Sequence, residues 1–494
     1  MSTPKLNIVV IGASGHLART KIYPALFSLY CQGFLPDDFH IAGYARSPMT
    51  QDVFRERITE KLTCRYSPEG DDCSHNMQAF LGRCCYHAGQ YDSGADFSAM
   101  ASAAGLSPKD NTLFYLAVPP NVFYPVAEAI QDAGLAGHAE DPWTRIVIEK
   151  PFGRDRASSD ELTEQMGHVF SETQVFRIDH YLGKEVIQNL MVLRFANLIF
   201  EPIWNRDYVE SVQITWQENK SIEGRGGYFD EVGIIRDVMQ NHLLQILALV
   251  AMEPPSRLGA THIQDEKVRV LKCISPPGAD EVVTGQFVGT TSGKRTVMGY
   301  KDDPTVPDDS NTPTYAATVM HVVNRRWDGV PFLMIAGKGM DASANEIRIQ
   351  FRDVPANMFR LAGENPSRNA LVINVQPDAS IYFEIVAKVP GVGMKLDSRL
   401  LDLRYASAFN EIIPDAYEDL LLDVINGEKS LFIREDELAA SWDVFTPLLK
   451  QIEAGGVSPV DYPFGSKSGP EAAAALAERH GMTLTDFQAS KDAT

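Results

Sequence analysis

LNIVVIGASGHLA, residues 6–18, decides the fold. An apolar, β-branched run ends at Gly12, passes a second glycine at Gly15, and opens at once into a segment of helical period. That pattern reads as a buried strand, a tight turn and a helix start. Glycines there let backbone N–H groups approach a pyrophosphate, and the N-terminus of the helix favours its negative charge. Gly12, Ala13, Ser14, Gly15, His16 and Leu17 are therefore the expected nucleotide-binding residues. An ordinary glycine turn is the alternative, but a turn that follows the first strand of the chain favours the nucleotide.

Outward from this turn, short strands alternate with helical segments. LNIVVIG, FHIAGYA, CCYHAG, NTLFYLAV, TRIVIEK and TQVFRID are the strands. Helices are expected near Leu17 to Tyr30, Thr50 to Leu62, Asp96 to Ala103, Asn121 to Ala133 and Ser158 to Phe170. This is the pattern of a doubly wound parallel sheet, an α/β Rossmann domain over residues 1–182. After Leu182 the strands come in series: VESVQITWQ, VVTGQFVG, TYAATVMHVV, VPFLMIAG, EIRIQFRDV, ALVINVQP and SIYFEIVAKV. A larger β+α domain with a mainly antiparallel sheet is expected over residues 183–494. In EIRIQF, Ile347, Ile349 and Phe351 share one face, and Glu346, Arg348 and Gln350 share a wetter one. A last helical region is expected from about Asp415 to Ile452, and a short helix near Ala472 to Arg479.

Composition limits the function. The 494 residues carry 45 Lys plus Arg against 65 Asp plus Glu, a net charge of −20, which disfavours nucleic acid and anionic membranes as partners. The longest apolar stretch, Leu243 to Met252, is too short to span a bilayer. The amino terminus lacks the pattern of a signal peptide, so a cytoplasmic protein is expected, with a plastid copy whose leader has been removed left open. Six cysteines without a CxxC spacing give no zinc motif and no disulfide framework, so reduced thiols are expected. Cys64 and Cys73 lie nine apart in a polar segment that reads as a loop.

Four further places carry chemistry. The second strand ends in Arg46, where an NAD site commonly has a carboxylate; a guanidinium there pairs with a 2′-phosphate and points to NADP. A solvated surface arginine is the alternative. Lys150, in Glu149-Lys150-Pro151-Phe152-Gly153, stands at the end of the fifth strand, where open α/β sheets bind ligands, and its X-Pro bond is a candidate for cis. Arg177 to Glu185 concentrates ionisable groups, with His180 and Lys184 on one face if a helix has begun. Glycine-rich Gly224 to Glu231 leads into a helix so apolar that Asp237 and His242 are out of place as solvent residues. On an ideal α-helix these two stand about 140° apart, so a common ligand would have to lie along the helix edge.

EKPFG (149–153), RIDHYLGKE (177–185), EGRGGYFDE (223–231) and IIRDVMQNHLLQ (234–245), in this order, resemble the glucose-6-phosphate dehydrogenase family over nearly the whole chain. The resemblance implies NADP as cofactor, glucose 6-phosphate as substrate, oxidation at C1 to 6-phosphogluconolactone, the first step of the oxidative pentose phosphate pathway, and a homodimer or homotetramer formed through the sheet domain. It makes His242 the general base and Asp179 the carboxylate that supports it. His180, Tyr181 and Lys184 become the phosphate clamp, and Lys150, Glu218, Asp237 and Lys338 further substrate ligands, with no metal required. Lys150 also counts among the cofactor residues. The chain departs from the family at His16, where an acidic residue is usual, and at Ser343, where a basic one is. Ala344 and Asn374 stand where a second, structural NADP site would need cations, so none is expected. A related sugar oxidoreductase and a noncatalytic NADP-binding member are the competing readings.

Overall fold

The computed structural model describes residues 5–66, 70–140, 142–222, 224–292, 295–409 and 411–484. Contacts divide the chain into two compact units: Met1–Glu185, Ser256–Gln264 and Ile412–Ala439 form one, and Val186–Pro255, Asp265–Glu411 and Ala440–Thr494 the other.

In the first unit, parallel strands β1 (Leu6–Ile11), β2 (Phe39–Ala45), β3 (Cys84–Ala88), β4 (Asn111–Leu116), β5 (Thr144–Glu149) and β6 (Val175–Ile178) stand in the order 3-2-1-4-5-6. Every residue of β1 is buried, because helices cover both faces of such a sheet, and its sequence is accordingly almost uninterrupted apolar. Helices Tyr23–Cys31, Gln51–Thr59, Gly94–Ala104, Phe123–Asp132 and Arg156–Gly167 fall where the periodicity predicts them. Helix Gly70–Gly82 was not anticipated; its first half is polar and carries no apolar stripe.

The edge of this sheet is closed by a strand from far along the chain. β17 (Phe432–Ile433) pairs antiparallel with β6. Ahead of it, helix Ala416–Asn426 joins the apolar cluster of β1 and helix Tyr23–Cys31 through Leu420, Leu421 and Val424. Asp415 caps that helix by accepting from Tyr417 N, and Gly427, at φ +77°, ends it. Arg145 Nη1 donates to the last carbonyls, Val424 O and Ile425 O, at 2.7 Å each. The single helical region expected from Asp415 to Ile452 is thus two helices, Ala416–Asn426 and Glu435–Glu453, interrupted by a glycine stop and a strand.

The second unit is built on β7 (Val209–Gln217), β8 (Val282–Val288), β11 (Tyr315–His321), β12 (Pro331–Gly337), β13 (Ala344–Phe351), β14 (Ala370–Gln376), β15 (Ser380–Lys388), β16 (Leu396–Arg404) and β18 (Val460–Pro463), in the order 16-15-14-13-7-12-11-8-18. Only β7·β12 and β8·β18 are parallel, so the sheet is mainly antiparallel. A separate hairpin pairs β9 (Thr290–Ser292) with β10 (Arg295–Val297). Neither β16 nor the hairpin was read from the sequence; β16 is an exposed, charge-bearing edge strand without a buried run. The supposedly wet face of β13 is drier than alternation suggests: Glu346 is 8% exposed beside the Arg348–Glu384 ion pair, and burial pushes its carboxyl up to about 7.

The apolar helix of this unit ends in a dense cap. The carbonyls of Leu249 and Met252 accept from buried Arg194 at 2.6 and 2.7 Å, and those of Val250 and Ala251 from the indole N–H groups of Trp204 and Trp327 at 2.8 Å. Four orphan carbonyls are thereby satisfied without water. Among the described residues no helix is long and apolar enough to cross a membrane.

The cysteines depart from expectation. Cys64 and Cys73 are joined in a disulfide, with Cα atoms 5.7 Å apart, and Cys73 lies in helix Gly70–Gly82 rather than in a loop. A nine-residue spacing says nothing of which way two side chains face, so the pairing was not legible. Cys31, Cys84, Cys85 and Cys273 take no part in a disulfide.

Candidate active site

The turn after β1 is shaped by close approach. Gly12 has φ +86°, and a Cβ there would fall 2.4 Å from Ala117 O and 2.8 Å from Val118 Cγ1, so the space admits glycine alone. Gly12 N and Ala13 N donate to Tyr44 O, and Gly15 N to Gly12 O. The helix after it begins as a π segment, Ala18–Ile22, with Thr20 Oγ1 donating to His16 O at 2.8 Å. A cradle that a single methyl would fill fits a nucleotide diphosphate. Arg46 emerges exposed from the end of β2 with its guanidinium 5.1 Å from the centre of the Tyr91 ring. Tyr91 was missed by the sequence reading; an aromatic shortly after β3 is no signal until β2 and β3 are known to be neighbours.

Lys150 follows β5, and its bond to Pro151 is cis. The carboxyl before it is unusual: Glu149 is buried, accepts from Tyr115 Oη at 2.5 Å, and is pushed up to about 7 by that burial. Tyr417 also hydrogen-bonds this carboxyl, and burial raises both phenols. Beyond β6, Asp179 is 1% exposed and its Oδ1 accepts from Tyr181 N at 3.0 Å. Residues 180–184 form turns and the next helix starts at Glu185, so His180 and Lys184 are gathered by a turn, not by a helix face. The His180 ring lies 5.0 Å from that of Tyr181 and stacks at 6.0 Å on Tyr417. Lys184 Nζ sits 5.1 Å over the Tyr181 ring, and burial lowers its pKa. Arg177, from the same charge run, turns away to Glu172 at 2.7 Å and holds the fold.

Two residues that the sequence reading did not single out join this group. Lys21 pairs with Asp415 at 2.8 Å and lies 5.8 Å from the Tyr417 ring. Tyr417 arrives from the returning segment 412–439. Each looks ordinary locally, and only tertiary folding reveals them.

In the second unit the helix bearing His242 is irregular. Residues Gly226–Ile234 lead through Gly233, at φ +69°, into a π segment, Ile235–Leu243, and then α-helix Leu244–Ala251. In an i→i+5 ladder each turn is wider than in an α-helix. Asp237 and His242 are five apart within it, so their angular separation is smaller than the 140° expected of an α-helix. His242 is 2% exposed, and its backbone N–H donates to Asn241 Oδ1 at 2.7 Å. Lys338, directly after β12, reaches back to Glu218 Oε2 at 3.1 Å and Asp237 Oδ2 at 3.5 Å, between the rings of Trp216 and Phe229. Its carbonyl accepts from Tyr462 Oη at 2.6 Å. The glycine motif upstream serves packing: a Cβ on Gly226 would lie 2.7 to 2.8 Å from Val306, Asp303 and Thr305.

Ser343 is not idle. Its hydroxyl accepts from Asn219 N at 3.1 Å and donates to Asn219 Oδ1 at 2.9 Å, clamping the residue after Glu218. A cavity of about 1060 Å³ is lined by Asn219, Lys220, Thr290, Thr296 and Asp341, and by none of the expected site residues.

A parallel sheet with a glycine cradle for a dinucleotide, in one chain with a buried histidine on a π segment and a lysine paired with two carboxylates, defines a nicotinamide-nucleotide dehydrogenase. Residues 9–189 match the NAD binding domain of glucose-6-phosphate dehydrogenase and residues 191–485 its C-terminal domain. The chain is 51% identical over 490 residues to the chloroplastic glucose-6-phosphate 1-dehydrogenase 1 of Arabidopsis thaliana, covering 98% of this chain and 84% of that one. It is 47% identical over 493 residues to the cytoplasmic glucose-6-phosphate 1-dehydrogenase 5 of the same plant, covering 98% and 93%. A solved glucose-6-phosphate dehydrogenase in complex with its substrate glucose-6-phosphate superposes with a TM-score of 0.90 at 40% identity, over 98% of this chain and all of that one. The chain belongs to the glucose-6-phosphate dehydrogenase family.

Proposed function

We propose that this protein oxidises glucose 6-phosphate at C1 to 6-phosphoglucono-1,5-lactone with NADP⁺, the entry reaction of the oxidative pentose phosphate pathway. The observation that carries the reading is the π segment, which bears both Asp237 and buried His242, while Lys338 bridges Asp237 and Glu218. Alcohol oxidation needs one base and a set of groups that fix the hydroxyls, and His242 with Asp237, Glu218 and Lys338 are residue types suited to those parts. His242 takes the C1 hydroxyl proton; Asp179 has the role of supporting that base. Lys150, Asp237, Glu218 and Lys338 orient the sugar, while His180, Tyr181 and Lys184 hold its phosphate end. The last three meet a dianion with two cationic or ionisable side chains and a phenol.

When bound, the nicotinamide accepts the hydride that leaves C1. Gly12, Ala13, Ser14, Gly15, His16 and Leu17 would cradle the diphosphate, and Lys150 would serve cofactor and substrate together. Arg46, held by Tyr91, would read the 2′-phosphate and so favour NADP over NAD. A homodimer or homotetramer is favoured by the edge strand β16, which exposes Leu400, Leu401 and Leu403. A cytoplasmic location is proposed alongside, since relatives are both cytoplasmic and chloroplastic.

The test is reduced-nicotinamide absorbance with glucose 6-phosphate or glucose, each with NADP⁺ or NAD⁺. Turnover of the phosphorylated sugar alone, faster with NADP⁺, is expected. Equal turnover of free glucose would favour a broader sugar oxidoreductase, and no turnover with NADP⁺ still bound would favour the noncatalytic reading.

A further inference from the structure

Within the second unit, three side chains remote in sequence converge on one point. Glu281 immediately precedes β8, His321 ends β11, and His480 follows helix Glu471–Arg479; one carboxylate oxygen and two imidazole nitrogens lie within 4.8 Å of one another. β8 and β11 are antiparallel neighbours with Val282 opposite Thr318, and the helix packs on both. His480 Nε2 stands 2.8 Å from Glu281 Oε2, and the rings of His321 and His480 are 5.6 Å apart. The backbone around Glu281 is pinned by Thr318 Oγ1 donating to Glu281 O at 3.0 Å and Arg479 Nη2 donating to Asp280 O at 2.6 Å.

We propose that Glu281, His321 and His480 form a binding site for a borderline divalent cation, Zn²⁺, which ties the end of helix Glu471–Arg479 to the sheet. An ion pair accounts for His480 with Glu281 but leaves unexplained why His321 presents its nitrogen to the same place. Two imidazoles and a carboxylate are a donor set that Zn²⁺ takes, with the fourth position left to water, whereas Mg²⁺ and Ca²⁺ prefer oxygen alone. At bond lengths of about 2.0 to 2.1 Å, tetrahedral donors stand roughly 3.3 Å apart. The His480–Glu281 pair therefore opens by about half an ångström and His321 closes on it, both within rotamer adjustment. All three side chains are partly exposed, so an ion has a path in. None of them has a part in the proposed reaction.

The experiment titrates Zn²⁺ into chelator-treated protein by calorimetry and follows melting temperature with and without the metal, in wild type, His321→Ala, His480→Ala and Glu281→Gln. One Zn²⁺ per chain is expected in wild type. Each histidine variant should bind at least about 100-fold more weakly, since even outer-shell changes cost 10- to 100-fold. Zn²⁺ should raise the melting temperature of wild type and not of the variants. Cobalt substitution should give ligand-field bands without thiolate charge transfer. Undiminished binding in the variants would overturn the site, as would no binding to wild type, or a thiolate band traced to Cys85, which lies 3.0 Å from His40 Nε2. Should one alanine variant fail to fold, the conservative Glu281→Gln and His321→Gln decide by the same two readouts.

Discussion

His242 is a histidine in a helix whose neighbours are almost all buried, and replacing it tests the chemistry most directly. His242→Asn should lower kcat by about 10² to 10⁴ while leaving NADP⁺ affinity unchanged, read by initial rates and by nucleotide titration. Persistence within a few fold would remove His242 from the role of base. Ser343 tests positioning instead. Each of its two bonds to Asn219 is worth about 1 kcal/mol, so Ser343→Ala should raise KM for the sugar phosphate up to about thirtyfold with kcat little changed. An unaltered KM would mean that the segment after Glu218 is held by other contacts. His242 was legible because an ionisable group in an apolar helix contradicts its surroundings. Lys21, Tyr91 and Tyr417 contradict nothing nearby, so no local reading could raise them.

At the level of elements, two glycines govern the arrangement of functional groups. Gly12→Ala would put a methyl within 2.4 Å of Ala117 O, and NADP⁺ binding should be lost or weakened beyond measurement in a fluorescence titration. Gly233 admits the helical π segment by its positive φ; Gly233→Ala should cost about 1 to 2 kcal/mol from that backbone conformation, and its Cβ would also press on Thr312 Cγ2 at 3.2 Å. A lower denaturation midpoint together with a reduced kcat is expected, and a loss of stability alone would separate the kink from catalysis. Strand and helix periods made the Rossmann unit readable from β1 to β6. The π segment was not readable, since its nine residues are too few to shift an apolar period.

Across the molecule, several carboxyls share one abnormality. Glu149, Glu346 and Asp423 are each pushed up to about 7, with burial the leading cause. A raised acid binds its proton more tightly in the folded state, so these groups favour folding below about pH 4, where both states are protonated alike, and that stability is lost as pH climbs through about 7. The melting temperature should therefore fall between about pH 4 and pH 7, and Glu149→Gln with Glu346→Gln should flatten the slope. A flat wild-type profile would mean that the buried carboxyls are ionised at modest cost. Fold class and the chemistry-bearing motifs were open to sequence reading because local periodicity and residue type carry them. The return of residues 412–439 was not, for Leu420, Leu421 and Val424 are spaced as on any helix that faces a core, and spacing does not name the core.

That return has a consequence in time. Arg177 of β6 and its carbonyl partner Ile433 are 256 residues apart, so a ribosome working at roughly 5 to 20 residues per second delivers the sheet's last strand about 10 to 50 s after the strand it must cover. Throughout that interval the nascent nucleotide unit carries an open β-edge, and a chain halted before residue 432 would leave the tunnel with a sticky, unfinished sheet.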